Sequence, residues 1–361
     1  MKAQDFHGWY MVPDVCQANG FRFEHRTSSL PEIGEGDALV EIAGCGVCGT
    51  DLSYFSGKVP TAISPPLILG HEISGRVIRG GGLEGREVIV PTVVPCRQCE
   101  LCKLGRANRC FKQKMYGGNF GARGGFASHV VVPVRELCLV PEQRHIPLET
   151  LAVVADAIST PYQAVRRAQI VPGSKVVIIG ATGGLGIYAA QWCREQGASV
   201  VIGVARNATR LEEVSSYFTA VVSCAGRSDE DVRHDVWKIA KEHGSNPRIS
   251  WTIFETSGTL AGQELGLNLL VTACKLVLVG FAAGEITYPL SKVMANDSEI
   301  IGSWGCDPGH YPFVLDAVLN GRIEVMPFVE SRSMDRIDAT FRSMMVGEKS
   351  LRRVVLTPSF V

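Results

Sequence analysis

Short apolar runs that alternate with polar residues dominate the first part of the chain. They lie at 38–42 (ALVEI), 73–78, 87–90 and 128–133, and glycine or proline separates them. Alternation with a period of two predicts half-buried strands, and no segment of this region has a convincing helical period. The pattern predicts an all-β, barrel-like region of about 150 residues.

The pattern changes after about residue 156. The run at 175–179 (KVVII) is nearly all apolar, as in strands that a parallel sheet buries on both faces. Further strand-like runs at 199–204, 250–254 and 275–280 alternate with helical segments to about residue 300. This alternation predicts an α/β, doubly wound parallel sheet.

A glycine-rich turn lies between the strand 175–179 and a segment with helical spacing of apolar residues. Its residues are Gly180, Ala181, Thr182, Gly183, Gly184, Leu185 and Gly186. Glycines let the backbone approach a pyrophosphate, and the N-terminus of the following helix offers free N–H groups and a positive dipole. The turn is therefore predicted to bind the phosphates of a dinucleotide.

The end of the next strand carries a guanidinium where NAD-binding sheets carry a carboxylate. The residues there are GVARN at 203–207, with Arg206 in place of an acid. Because arginine can hold a phosphate through two hydrogen bonds, this favours NADP(H) slightly over NAD(H). The alternative is a surface arginine that points into solvent.

A thiol, an imidazole and a carboxylate stand in two glycine-flanked turns of the first region. They belong to Cys48, His71 and Glu72, and Thr50 follows the thiol by two residues. Cysteine and histidine are ligands that zinc prefers, and the Thr50 hydroxyl could contact an oxygen at such a site. The alternative is a buried thiol that binds nothing.

Four further cysteines form the most specific motif of the chain. Cys96, Cys99 and Cys102 are each three residues apart, and Cys110 follows eight residues later. Four thiolates at this spacing suit a closed tetrahedral zinc site that holds a long loop. An iron–sulfur cluster is the rival, but its last cysteine is commonly followed by proline, whereas Phe111 follows Cys110.

Composition limits the class of protein. With 361 residues, two domains are expected. The 36 basic and 36 acidic residues cancel, and no basic patch indicates nucleic acid or a membrane surface as a partner. No apolar run reads as a membrane span, and no signal peptide is evident at the N-terminus. Twelve cysteines then favour reduced thiols and a cytoplasmic location.

Taken together, these motifs resemble those of the zinc-dependent medium-chain dehydrogenases/reductases, the alcohol dehydrogenase superfamily. The resemblance covers essentially the whole chain. It implies a chaperonin-10-like, β-rich catalytic domain at 1–156 and 300–361, with a Rossmann domain at 157–299 and the active site in the cleft. It also implies one catalytic and one structural zinc per chain, a small-molecule alcohol or ketone substrate, and a homodimer or homotetramer that pairs through the sheet edge near 300–304.

Site residues follow from matching positions. Cys48 and His71 match catalytic zinc ligands, and Asp156 stands where relatives more often have a cysteine ligand. Glu72 matches a group behind the metal or an occasional fourth ligand. Thr160 matches a position beside the nicotinamide.

Two departures from the family pattern bear on the chemistry. Ser53 stands where many relatives have a histidine that passes the substrate proton to solvent, so the relay beyond Thr50 is open. The nucleotide turn has an extra residue, as in the quinone-reductase branch.

Three segments resemble the branch that oxidises 6-hydroxycyclohex-1-ene-1-carbonyl-CoA. They are 125–133, 153–165 and 302–306. The resemblance implies hydride transfer between a secondary, ring-borne and acyl-CoA-linked alcohol and NAD(P). Reduction of an activated C=C bond on the same fold is the alternative, and a non-catalytic zinc- and nucleotide-binding sensor is a third hypothesis.

Overall fold

The computed structural model describes residues 5–14, 20–121, 123–347 and 352–360. The chain divides into two compact units. Unit 1 comprises Met1–Ser159 and Gly305–Val361, and unit 2 comprises Thr160–Trp304. No helix of the described residues is both long and apolar enough to cross a membrane.

Strands and helices are numbered in chain order. The strands are β1 (Asp5–Asp14), β2 (Gly20–Ser29), β3 (Asp37–Gly46), β4 (Leu67–Ile68), β5 (Glu72–Arg79), β6 (Glu87–Val90), β7 (Val93–Val94), β8 (Lys114–Met115), β9 (His129–Pro133), β10 (Cys138–Leu139), β11 (Lys175–Ile179), β12 (Val200–Ala205), β13 (Ala220–Ser223), β14 (Trp251–Glu255), β15 (Lys275–Leu278), β16 (Glu299–Gly302), β17 (Val329–Ser333) and β18 (Arg353–Thr357). The α-helices are α1 (Gly49–Phe55), α2 (Glu100–Lys103), α3 (Ser159–Ala168), α4 (Gly186–Glu195), α5 (Ala208–Glu213), α6 (Asp229–Glu242), α7 (Leu260–Asn268), α8 (Leu290–Ala295), α9 (Tyr311–Leu319) and α10 (Ile337–Met345). Short 3₁₀ turns lie at Ala107–Arg109, Val134–Glu136, Thr150–Ala155, Ser215–Tyr217, Pro308–His310, Met326–Phe328 and Met334–Arg336.

Unit 1 is built mainly from antiparallel sheets. The largest has the strand order β10-β6-β5-β3-β18-β17, and β9 also pairs with β3. A second sheet has the order β2-β1-β4, and β7 pairs with β8. Strand β3 is central because it pairs with β5, β9 and β18, and it ends at Gly46, two residues before Cys48.

The expectation of an all-β first region is wrong at residues 49–55, next to the candidate ligand Cys48. Helix α1 begins directly after Cys48 and is only seven residues long. It buries Asp51 and Phe55, and the ring of Phe55 stacks on Phe23 and meets Phe341 of α10 edge-on. Two turns offer too few positions for a helical period to be visible in the sequence. A helix this short is also unstable by itself, so its packing against distant aromatic rings stabilises it.

Unit 2 is a single parallel sheet with the strand order β13-β12-β11-β14-β15-β16. Every pair of neighbours in it is parallel. Strands β12 and β14 are buried along their whole length, which explains why their sequences are apolar runs rather than alternating ones. The predicted fold class, a chaperonin-10-like β-rich domain with a doubly wound parallel sheet, is confirmed.

Candidate metal centres and nucleotide-binding turn

Unit 1 brings four predicted ligands together. Cys48, His71, Glu72 and Asp156 each place one ligand atom so that all four atoms lie within 4.8 Å of one another. Cys48 Sγ is 3.3 Å from Asp156 Oδ2, and His71 Nε2 is 3.6 Å from the same oxygen. Asp156 lies 108 positions after Cys48 in the sequence, so the folding of unit 1 assembles this centre.

Asp51 holds the two metal-site turns in register. One of its carboxylate oxygens accepts the N–H of Cys48 at 2.9 Å, and the other accepts the N–H of Gly70 at 3.1 Å. The second oxygen also lies 3.4 Å from His71 Nδ1. Asp51 is fully buried, so its charge acts on His71 with little screening by water. No sequence pattern assigned a role to Asp51; the only signal for one is its place three residues after Cys48, in the first turn of α1.

A second set of buried groups fixes the peptide that precedes Asp156. The Tyr311 hydroxyl donates to the carbonyl of Ala155. Thr92 Oγ1 lies 3.0 Å from the Ala155 carbonyl and 3.1 Å from that of His71. These contacts connect the turns that carry two of the candidate ligands. No sequence pattern indicated them, because Tyr311 lies 156 positions after Ala155.

Glu72 is fully buried at the back of the centre. Its Oε1 lies 3.2 Å from the Arg353 guanidinium, which also donates to the Val47 carbonyl at 3.0 Å. A Cβ at position 46 would lie 2.0 Å from Glu72 Oε2, so this carboxylate requires Gly46. Burial raises the pKa of Glu72 to about 8, because the charge of Arg353 compensates only in part.

The other predicted site groups of unit 1 differ in their settings. Burial by itself lowers the pKa of His71, but the Asp51 charge and a hydrogen bond to Asp156 outweigh it and hold that pKa well above its ordinary value. Thr50 Oγ1 is 3.9 Å from Cys48 Sγ. The exposed Ser53 hydroxyl donates to the Gly49 carbonyl at 2.9 Å, so its proton is engaged by the backbone of α1.

The donor set suits zinc. A tetrahedral Zn²⁺ takes sulfur at about 2.3 Å and carboxylate oxygen at about 2.0–2.2 Å, which places those two atoms roughly 3.5 Å apart. The observed Cys48–Asp156 separation of 3.3 Å is close to that value. Glu72 Oε2 has no partner among the described residues and Oε1 has only the Arg353 guanidinium, so a buried cation would add to the compensation of the carboxylates at this centre.

The four-cysteine lobe forms a second cluster in unit 1. Ligand atoms of Cys96, Cys99, Cys102 and Cys110 all lie within 4.8 Å of one another. Cys99 Sγ is 3.5 Å from Cys102 Sγ and 3.7 Å from Cys110 Sγ. Zinc–sulfur bonds of about 2.3 Å in a tetrahedron separate the sulfur atoms by roughly 3.8 Å. The lobe therefore fits a tetrahedral metal without rearrangement.

Backbone N–H groups point at the lobe's sulfur atoms. Cys110 Sγ accepts from the N–H of Cys96 at 3.2 Å and from that of Lys112 at 3.3 Å. The N–H groups of Cys102 and Phe111 lower the pKa of Cys99 to about 6. Burial and the neighbouring sulfur atoms raise the pKa of Cys102 to about 12. Because adjacent thiolates repel, all four can ionise together only when a cation lies between them.

Salt bridges fasten the lobe to the rest of unit 1. Arg97, which adopts a left-handed φ of 63°, contacts both oxygens of buried Glu136 at 3.0 and 2.6 Å. Asp307 accepts the N–H of Ala107 at 3.2 Å. The lobe is thus anchored to two positions that both follow it in the sequence.

The glycine turn of unit 2 lies between β11 and α4 and has the close packing that requires glycine. A Cβ on Gly186 would lie 2.2 Å from the Gly180 carbonyl oxygen, and one on Gly180 would lie 2.7 Å from Ser257 N. Gly180 also has a φ of +88°. Helix α4 begins directly after Leu185, at the end of this tight turn. Free N–H groups at a helix N-terminus in this position suit the binding of a pyrophosphate.

The remaining predicted cofactor residues lie around the same sheet. Thr182, Gly183 and Gly184 form the outer part of the turn, where Gly183 is exposed. Thr160 is buried in α3. Arg206 is exposed directly after β12, and no carboxylate of the described residues lies within salt-bridge distance of it.

Comparisons with known proteins bear on these sites. A model of the alcohol dehydrogenase GroES-like domain matches residues 34–142, and a model of zinc-binding dehydrogenases matches residues 184–320. Sorbitol dehydrogenase of Bombyx mori is 31% identical over 325 residues, which cover 87% of this chain and 89% of that enzyme. The chain belongs to the zinc-dependent alcohol dehydrogenase family.

Other members of the family match over a similar extent. L-galactonate-5-dehydrogenase of Escherichia coli strain K12 is 28% identical over 334 residues, which cover 91% of this chain and 94% of that enzyme. The structure of an alcohol dehydrogenase from Thermotoga maritima superposes with a TM-score of 0.84 at 25% identity, covering 99% of this chain and 100% of that one. The prediction of a zinc-dependent oxidoreductase that acts on CH–OH groups is confirmed at the level of the family.

Proposed function

We propose that this alcohol dehydrogenase family member interconverts a secondary alcohol and a ketone, with NAD(P) as the hydride carrier. The observation that carries the proposal is the convergence of Cys48, His71 and Asp156 in unit 1. These three residues would hold a catalytic zinc, with Glu72 behind it. Zinc, when bound, supplies Lewis-acid polarisation of the alcohol oxygen.

The chain's own residues then orient substrate and move the proton. Asp51 and the Thr92–Tyr311 pair fix the turns that carry the ligands, so the donor set is preorganised. We assign Thr50 as the hydroxyl that accepts the substrate proton while it passes its own proton toward solvent, because its Oγ1 lies 3.9 Å from Cys48 Sγ. Ser53 is a candidate for the next step of that relay and not for the first. Its own hydroxyl proton is donated to the Gly49 carbonyl.

We propose that residues 157–299 form the cofactor domain and that residues 1–156 and 300–361 form the catalytic domain. Gly180, Thr182, Gly183, Gly184, Leu185 and Gly186 would hold the pyrophosphate, and Thr160 would lie beside the nicotinamide. Cys96, Cys99, Cys102 and Cys110 would hold a structural zinc, which makes two zinc ions per chain. No two cysteines of the described residues form a disulfide, which supports a reducing compartment such as the cytoplasm.

We also propose a narrower class of substrate within the secondary alcohols. Relatives that act on polyols and sugar acids support a secondary alcohol, and the segments 125–133, 153–165 and 302–306 favour a ring-borne alcohol on a coenzyme A thioester. The test is an activity assay with NAD⁺ and NADP⁺ against a panel of alcohols. The panel contains polyols, cyclic allylic alcohols, and cyclic allylic alcohols whose ring also carries a coenzyme A thioester. The reverse direction is assayed with ketones and, separately, with enones.

The panel separates the candidates. Oxidation of secondary alcohols with zinc-dependent turnover supports the proposed reaction, and a preference for the thioester over the free cyclic alcohol supports the narrower substrate. Reduction of the enone C=C bond without alcohol oxidation would contradict the proposal and select the alternative chemistry.

Arg206 is expected to determine the choice of cofactor. Replacing it by alanine should raise the KM for NADP⁺ by about 10- to 100-fold and change the KM for NAD⁺ less than about twofold, because only NADP⁺ carries the 2′-phosphate. Steady-state kinetics with both cofactors measure this. Arg194→Ala is the matched control, since its guanidinium lies in the last turn of α4 and donates to the Ser216 carbonyl. Equal effects on both cofactors would contradict the assignment.

The edge of the parallel sheet is the proposed site of self-association. Strand β16 is its last strand, Ile300 is 41% exposed, and helix α8, which precedes β16 in the chain, buries none of its residues. An exposed apolar edge strand favours pairing with a second copy. Ile300→Asp should convert a dimer or tetramer to smaller species in sedimentation velocity. Ile249→Asp is the control, because Ile249 is 42% exposed elsewhere on unit 2. An unchanged mass for Ile300→Asp would place the interface elsewhere.

A further inference from the structure

A cavity of about 260 Å³ lies within unit 1, outside the two cysteine-containing metal clusters. Strands β1, β2, β4 and β9 and the segment before β9 contribute its lining residues. Its apolar lining includes the rings of Phe6 and Tyr10 and the side chain of Ile68. A dry cavity of about 150 Å³ already admits benzene in another protein, so this volume suffices for a substituted aromatic ring.

The polar groups of this cavity are cationic or hydrogen-bonding, and none of its lining residues is acidic. Arg123 lines it, with its guanidinium 4.8 Å from the centre of the Phe120 ring. No carboxylate of the described residues lies within salt-bridge distance of Arg123. Ser28 at the rim is exposed, which gives a ligand a route from solvent.

His129 is a second polar residue in the lining of the same cavity. It is 5% exposed, and its Nε2 has no hydrogen-bond partner among the described residues. Its Nδ1 lies 2.8 Å from Ser128 Oγ, which already accepts the N–H of His7 at 2.9 Å. If the Ser128 hydroxyl donates to Nδ1, then Nε2 carries the imidazole proton and lacks an acceptor. Burial lowers the pKa of His129, and the charge of Glu41 opposes this only in part, so the surroundings favour the neutral ring.

We propose that this cavity is a binding site for a small aromatic carboxylate. Its ring would lie against Phe6, Tyr10 and Ile68, and its carboxylate would receive hydrogen bonds from the Arg123 guanidinium and from His129 Nε2–H. The guanidinium fork matches a carboxylate in geometry and charge, and the two aromatic rings of the lining favour a flat apolar body. The site is independent of the proposed reaction, because it shares no residue with the candidate metal centre.

The test uses benzoate as the probe and benzamide as its neutral counterpart, with calorimetry on the full-length, zinc-loaded protein. Benzoate is expected to bind at least about tenfold more tightly than benzamide, because a charge-assisted hydrogen bond is lost in the amide. Arg123→Gln should weaken benzoate binding by at least about tenfold. Arg76→Gln is the matched control, since that arginine pairs with Glu87 at 3.0 Å and does not line the cavity, and it should leave binding unchanged.

The metal centre could also attract a carboxylate, so the experiment must locate the site. Benzoate binding that persists in Cys48→Ala and is lost in Arg123→Gln supports the cavity. Binding that is lost in Cys48→Ala and persists in Arg123→Gln would overturn the proposal and place benzoate at the metal centre. Equal affinity for benzoate and benzamide would also overturn it. His129→Gln is a second test variant, because it replaces the Nε2 donor. It should weaken benzoate binding more than benzamide binding.

Discussion

Replacing Cys48 by alanine is expected to reduce turnover of secondary alcohols by more than about 1,000-fold, because Lewis-acid stabilisation is worth several kcal/mol and each 1.4 kcal/mol is a factor of ten. The zinc content should fall from two ions per chain to one. The fold should persist, since Cys48 belongs to a loop whose turns are also held by the Asp51 carboxylate. Elemental analysis, circular dichroism and steady-state kinetics on the same preparation measure the three quantities.

Cys45→Ala is the matched control for this experiment. Cys45 is a buried thiol three residues before Cys48, and it lies outside the group of convergent ligand atoms. This variant should keep two zinc ions and most of its turnover, with a modest loss of stability from the lost core contacts. If Cys48→Ala retained two zinc ions and its turnover, Cys48 would not be a ligand and the proposed reaction would lose its metal site.

Local pattern was sufficient to predict most of the architecture of unit 2. Strands β11, β12, β14 and β15 and the glycine turn could be read from short windows, because a buried parallel strand is apolar along its length and a phosphate-binding turn needs glycine at fixed offsets. The two outer strands, β13 and β16, were not predicted, because each is only four residues long and neither is buried along its length. The candidate ligands of unit 1 were also visible in the sequence, since metal chemistry restricts the residue types that can serve.

The groups that orient those ligands were not predictable in the same way. Asp51, Thr92, Tyr311 and Arg353 contact the centre through hydrogen bonds or ion pairs that the order of residues does not reveal. Tyr311 and Arg353 reach it from the C-terminal part of unit 1. Aspartate, threonine, tyrosine and arginine also occur at many surface positions. Their role follows from burial and partners, which tertiary structure alone defines.

Replacing Cys99 by serine is expected to remove the other zinc ion and to destabilise unit 1. The lobe has few buried apolar residues, and α2 buries none of its four, so metal ligation must supply most of its stability. A loss of about 3 kcal/mol or more would lower the melting temperature by roughly 10 °C for a unit of this size. Differential scanning calorimetry and elemental analysis measure both effects, and the latter also distinguishes zinc from an iron–sulfur cluster.

Cys224→Ser provides the matched control, because Cys224 is likewise a half-buried free thiol but belongs to unit 2. It should retain two zinc ions and a nearly unchanged melting temperature. The residual turnover of Cys99→Ser, measured well below its melting temperature, should stay far above that of Cys48→Ala, since Cys99 belongs to the lobe's own ligand cluster. Equal losses of turnover in the two variants would contradict the division into a structural and a catalytic zinc. Retention of both zinc ions and of the melting temperature in Cys99→Ser would exclude Cys99 as a zinc ligand.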